Sequence, residues 1–209
     1  TSTNSSIGLI YALKKIFMNK TKLKIIFLGY NSKKTSLIKF LKQKNFIVKS
    51  YNQKNISNIK LDFNETIISF GYNKILKKNF LDKLSFPPIN LHMSYLPFNR
   101  GSHPNFWSFI DRTPKGVTIH EIDDEVDNGK IIFQKKISFQ INKNTSFKKT
   151  YDYLFNELEK LFKKHYKIIL SRKYIGKKSK KKGSIHFKKD LKQKVVWSKP
   201  IREYIKLYR

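Results

Sequence analysis

The stretch INLHMSYLPFNRGSHPNFW, residues 89–107, sets an Asn and a His two residues apart at the end of an apolar run. Side chains on a strand alternate faces with a period of two, so Asn90 and His92 share a face. Buried polar groups cost free energy unless they are partnered. The pair is therefore either satisfied within the structure or placed at a strand end where it can do chemistry. Downstream lies an acidic turn in an otherwise basic chain: Glu121, Asp123, Asp124, Glu125 and Asp127 are five of its 14 carboxylates. An amide, an imidazole and a carboxylate suit acyl transfer, as a donor for a developing oxyanion, a general acid or base, and a group that orients it. The same spacing also fits a polar strand end whose side chains cap neighbouring loops.

Regular elements must bring these residues together. LKIIFLGY (23–30) is an apolar run ending at Gly and Tyr, as expected of a buried parallel strand. TSLIKFLKQK (35–44) has helical spacing with a Thr at the cap position. FIVKSY (46–51) and TIISFGY (66–72) read as strands, ILKKNFLDKL (75–84) as a helix and PPINLHMS (87–94) as a strand. Strands alternating with helices imply a mostly parallel sheet with crossovers, whose ligands bind beyond the carboxyl ends of the strands. PNFWSFID (104–111) reads as a helix with Pro in its first turn. GVTIHEID (116–123) and KIIFQKKISF (130–139) read as two further strands. Residues 145–171 form one long helix, with Tyr151, Leu154, Leu158, Leu161 and Phe162 on one stripe. The chain thus divides into a lead with a short helix (1–20), a central α/β domain (21–171) and a small strand-rich appendage (172–209).

The formal net charge of the 209-residue chain is +31. Of its 45 basic residues only Arg100, Arg112, Arg172, Arg202 and Arg209 are arginine. Phosphate and base recognition favours the planar Arg fork. Lysine accompanied by many Asn and Ile reads instead as the drift of an AT-rich coding sequence, so a nucleic-acid partner is not favoured. The run GKKSKKKG (176–183) reads first as a solvated loop. Without cysteine there is neither a disulfide framework nor thiolate chemistry. Apolar stretches are short and interrupted by lysine, which predicts no membrane span and a cytoplasmic protein. No His, Asp and Glu spacing matches a closed metal site, so no metal is expected. His103, His165 and His186 read as structural, as does Trp107; His120 could face either site or core. Trp197 reads as packing, with stacking on a base or sugar as its other use.

Four motifs in register, GYNKIL (71–76), Asn-x-His-x-Ser-x-Leu-Pro (90–97), RGSHP (100–104) and GVTIHEIDDEVDNGKII (116–132), resemble the family of 10-formyltetrahydrofolate-dependent formyltransferases. The resemblance implies a Rossmann-like α/β fold and a catalytic trio of Asn90, His92 and Asp127; the Asp-x-Gly pattern selects Asp127 over Asp123 and Asp124. It implies direct transfer to a substrate amine. Asn90 and a charged His92 would stabilise the oxyanion, and Asp127 would keep His92 charged. It places the folate against Asn73, Lys74, Ile75, Leu76 and the turn of Ile122, Asp123 and Asp124. RGSHPNFWSFIDRTPKGVTIH and the tail GSIHFKKD (183–190) are similar to the branch that formylates nucleotide-linked amino sugars.

Two other branches remain open. Methionyl-tRNA formyltransferases carry a larger C-terminal domain than the 38 residues after the long helix would hold. Glycinamide ribonucleotide formyltransferases have a Gly-Ser-Asn loop where this chain has GYNSKK (29–34). The segment before GYNKIL is one strand-helix unit shorter than in the family. That departure leaves a catalytically dead, RNA-binding scaffold as the competing class. A homodimer is compatible with the sequence.

Overall fold

The computed structural model describes residues 23–54, 56 and 65–208. The lead and short helix expected over residues 1–20 lie outside the described residues. Among the described residues there are eight strands: β1 (Lys24–Gly29), β2 (Ile47–Tyr51), β3 (Thr66–Phe70), β4 (Ile89–His92), β5 (Arg100–Gly101), β6 (Lys115–Glu121), β7 (Ile131–Ile137) and β8 (Ile185–His186). The helices are α1 (Leu37–Gln43), α2 (Lys78–Leu81), α3 (Pro104–Ile110), α4 (Phe147–Leu170) and α5 (Ile201–Leu207). Six strands form one sheet in the order β2-β1-β3-β4-β6-β7. The first four are mutually parallel, whereas β6 runs antiparallel to both β4 and β7.

The mostly parallel sheet follows from the apolar runs. Every residue of β3 is buried, as is all of β1 beyond Lys24, so both faces are covered and strict alternation is lost. Period-two geometry then assigns the faces. Ile25, Phe27, Ile68 and Phe70 pack with Leu37, Leu41, Leu154, Leu158 and Phe162 beneath α1 and α4. Ile26, Leu28 and Ile67 point the other way, to Ile56, Leu76 and Phe80. Helix α4 matches its expected stripe: Leu154, Leu158 and Phe162 are buried. Ser146 caps it by accepting from Lys149 N at 3.3 Å.

Two local expectations are corrected, at the 75–84 helix and in the tail. The helix expected over 75–84 is the single turn α2, because Leu76 drops into the core while Ile75 stays 72% exposed. Those two apolar residues therefore serve opposite sides of the chain rather than one helical stripe. At α1 the Thr35 hydroxyl does accept from Leu37 N at 3.2 Å. The capping group sequence could not identify is Glu159 of α4, whose carboxylate accepts from Thr35 Oγ1 at 2.6 Å, from Ser36 N at 2.9 Å and from Ser36 Oγ.

The tail is poorer in strand than expected. It contributes only β8, a single turn at Lys188–Asp190 and α5. β8 pairs in parallel with β5, with Gly101 opposite His186. The His186 ring stacks on Trp107 at 4.2 Å, and its Nε2 lies 2.7 Å from Asp111 Oδ2. Phe106, Trp107 and Phe109 of α3 share an apolar cluster with Val195, Ile201 and Tyr204. Side-chain packing, the short β5–β8 pairing and isolated backbone bridges at Lys177 and Pro200 attach the tail. Among the described residues no helix is long and apolar enough to cross a membrane.

Leu158 is fully buried between α4 and the sheet. Leu158→Ala is expected to cost about 2–5 kcal/mol of stability by urea unfolding. Ile175→Ala, at an 85% exposed position, is expected to change it by less than about 0.5 kcal/mol.

Candidate active site

The chain runs from β1 to β2 on one side and returns across β1 to β3 on the other. In a parallel sheet such a reversal leaves a crevice beyond the strands' carboxyl ends. A cavity of about 820 Å³ lies here, reached by Tyr30 after β1, by Gly71, Tyr72 and Asn73 after β3, and by Asn90 and His92 of β4. Asp127 also lines it. Asn90 and His92 do share a face, and the acidic turn meets them.

Asp127 is the junction. Its Oδ1 accepts from Asn90 Nδ2 at 2.9 Å and its Oδ2 from Gly101 N at 2.8 Å. His92 Nδ1 lies 3.5 Å from Oδ2 and His120 Nε2 3.4 Å from Oδ1. Two glycines explain the flanking motifs. Gly101 has φ +84 and its Cα faces the His186 carbonyl, so RGSHP needs glycine there; Gly129 lies against the Glu121 carbonyl, which folds the Asp-x-Gly turn back on β6. Asp127 itself sits in the left-handed region at φ 47, a conformation Asp tolerates better than most residues.

The electrostatics revise one expectation. Burial alone would raise the Asp127 pKa, but His92, His120 and the Gly101 N–H together hold it well below the usual carboxylate range. Asp127 is therefore ionised. Burial pushes the His92 imidazole below its ordinary value; Asp127 opposes the shift, and His120 reinforces it. His92 is 7% exposed, and desolvation outweighs one carboxylate 3.5 Å away. Burial thus works against the charged form that the resemblance implies for His92. Its Nε2 is 3.2 Å from the Asn99 carbonyl, an obligate acceptor. That contact places the hydrogen on Nε2 and leaves Nδ1 as the basic nitrogen.

The expected folate residues separate into three groups. Asn73 lines the cavity, and its loop is pinned by Gln53: Asn73 N donates to Gln53 Oε1 at 2.9 Å and Gln53 Nε2 to Gly71 O at 2.7 Å. Ile122, Asp123 and Asp124 line a second depression of about 290 Å³ with Leu81, Leu84, Pro87 and Pro88. Leu76 belongs to the core, and Lys74 and Ile75 are exposed. The depression adjoins the trio along the chain, since Pro88 is two residues before Asn90 and Asp124 three before Asp127.

His120, which sequence could not orient, faces the site. Antiparallel pairing sets Asn90 opposite His120, and residues opposite one another share a face; recognising β4 and β6 as neighbours would have found it. His103 lines the cavity in the left-handed region at φ 54. His165 stacks on Phe133 at 4.0 Å, which agrees with a structural role. Lys34, Lys148, Lys188, Tyr151 and Trp197 also line the cavity.

A family model described as Formyl transferase matches residues 15–162. The structure of the formyltransferase PseJ from Anoxybacillus kamchatkensis, in complex with UDP-4,6-dideoxy-4-formamido-L-AltNAc and tetrahydrofolate, is 35% identical, with a TM-score of 0.79. That likeness covers 89% of this chain and 100% of the other. A dTDP-4-amino-4,6-dideoxyglucose formyltransferase of Mycobacterium bovis is 36% identical over 105 residues, half of this chain. A methionyl-tRNA formyltransferase of Fusobacterium nucleatum is 30% identical over 149 residues, 71% of this chain. The chain spans less than half the length of these two curated relatives, 44% and 43%.

Histidine-ring NMR should place the His92 titration below the ordinary value of about 6.5. Asp127→Asn, which removes the one opposing charge, should move it lower still. A wild-type midpoint at or above the ordinary value would reverse the balance between burial and carboxylate.

Proposed function

The chain belongs to the formyltransferase family, and from that premise we propose that it is an N-formyltransferase acting on a nucleotide-linked amino sugar with 10-formyltetrahydrofolate as formyl donor. The observation that carries this reading is the meeting of Asn90, His92 and ionised Asp127 on the wall of an open cavity. The chain's residues fit the donor. Its flat, polar-edged pterin suits the slot between Leu81, Leu84, Pro87 and Pro88, with the Asp123 and Asp124 carboxylates to accept from ring N–H groups. When bound, the donor supplies an electrophilic carbonyl carbon.

The remaining chemistry belongs to the protein. His92 Nδ1 can take a proton from the attacking amine, since Nε2–H is held by the Asn99 carbonyl. Asp127 Oδ2, 3.5 Å away, stabilises the charge that Nδ1 then acquires. Asn90 stands where its amide can meet the formyl oxygen. The acceptor end of the cavity suits a nucleotide-linked sugar: Lys34, Lys148 and Lys188 offer charge to a diphosphate, and Trp197, 39% exposed and 5.3 Å from the His103 ring, offers a face for a base. The dTDP-4-amino sugar named for one similar protein and the UDP-linked 4-formamido sugar in the complex of another support that acceptor class.

Incubation with 10-formyltetrahydrofolate and a panel of dTDP- and UDP-linked amino sugars should yield the N-formyl product, read by mass spectrometry. Transfer only to methionyl-tRNA, or salt-steep RNA binding with no turnover, would overturn the reading. His92→Ala and Asp127→Ala should each lower kcat by about 100-fold or more while far-ultraviolet circular dichroism is unchanged. Near-normal rates in either variant would remove that residue's assigned role.

A further inference from the structure

The hydrogen count at Asn90 is full. Its Nδ2 has two hydrogens; Asp127 Oδ1 lies 2.9 Å away and His120 Nε2 3.2 Å away. The opposite amide orientation would set two oxygens against each other at the Asp127 contact. His120 is oriented just as firmly, because its Nδ1 lies 2.7 Å from the Glu121 carbonyl, which can only accept. Nδ1 therefore carries the hydrogen, and Nε2 of the uncharged ring has only a lone pair. The ring is 1% exposed. The polar and titratable groups facing it are Asn90 and His92 of β4, Asp127 of the acidic turn and the Glu121 backbone of β6 itself. The His92 ring stands edge-on with its centre 6.0 Å away.

An oxyanion donor needs a free N–H, and in this arrangement Asn90 has none. We propose that His120 is a positioning residue that decides, by the state of its Nε2, whether the Asn90 amide offers the cavity a donor. With His120 uncharged, both Asn90 hydrogens are held and only Oδ1 is unbonded. With a proton taken from solvent onto Nε2, the ring becomes a donor to Asp127 Oδ1, already 3.4 Å away. It can then no longer accept from Asn90, so one amide N–H loses its partner, and a turn of the Asn90 side chain, without any backbone movement, offers it to the cavity that Asn90 lines. Deepening the formyl-transfer reading, on which it rests, this assigns His120 control of the group that meets the formyl oxygen.

The test begins with nitrogen-15 NMR of the free wild-type protein. His120 should be the Nδ1–H tautomer and His92 the Nε2–H tautomer. As the pH falls and His120 is protonated, the Asn90 side-chain NH₂ signals should move in step. In His120→Gln, whose Oε1 accepts from Asn90 but cannot be protonated, those signals should stop responding. The variant's kcat should fall about 100-fold with KM within about 2-fold, and its alkaline limb should disappear. A role confined to packing would be rescued by Gln. Wild-type kcat in His120→Gln, or an Nε2–H tautomer for His120 in the free protein, would overturn the proposal; if the variant does not fold, the wild-type tautomer decides. The NMR measurements need neither folate nor amine, so inactivity toward every acceptor would sink the formyl-transfer reading alone.

Discussion

A buried carboxylate must be met by hydrogen bonds or charge, or it will not stay ionised. Asp127 is met by four groups from three parts of the chain: the Asn90 amide and His92 ring of β4, the Gly101 N–H of β5 and the His120 ring of β6. Each contact demands something elsewhere. The β4–β6 pairing must be antiparallel and in register for Asn90 to face His120. Gly101 must reach a backbone conformation that side chains resist. The Asp-x-Gly turn must fold back on Glu121. The sheet, the loop and the tail are all required to satisfy one ionised group.

The same carboxylate faces two histidine rings at once. For His92, Asp127 favours the charged form and burial opposes it; each ring's second nitrogen is fixed by a backbone carbonyl, Asn99 for His92 and Glu121 for His120. Those carbonyls choose opposite tautomers. One ring therefore turns its basic nitrogen to Oδ2 and the other to Oδ1. The site thus sets two ring nitrogens around a single anion, each facing its own carboxylate oxygen.

What could be read from the sequence divides along physical lines. Strands β1 and β3 were legible as apolar runs, α4 as a stripe, and the Asn90–His92 pair because strand periodicity is rigid. The motifs in register indicated Asp127 before any distance was known. The α2 region was illegible, since Ile75 and Leu76 look alike in sequence and only the fold sends one to solvent and the other to the core. The tail was illegible because β8 is two residues long and gains its place from Trp107 stacking and from pairing with β5. The charge on His92 could not be read because burial is a property of the folded chain, and it outweighed the neighbour that sequence could see.

The parallel pairing of Gly101 with His186 has a further meaning for how the chain tolerates change. The lysine-rich segment 176–183 that leads into β8 is exposed over most of its length, so its lysines are little constrained, whereas Gly183 lies against the Pro97 carbonyl. The segment's length is constrained too, because a residue added or lost there would pull His186 out of step with the backbone whose N–H holds the carboxylate. The most permissive stretch of the tail thus behaves as a tether of set measure, free in its chemistry and bound in its reach.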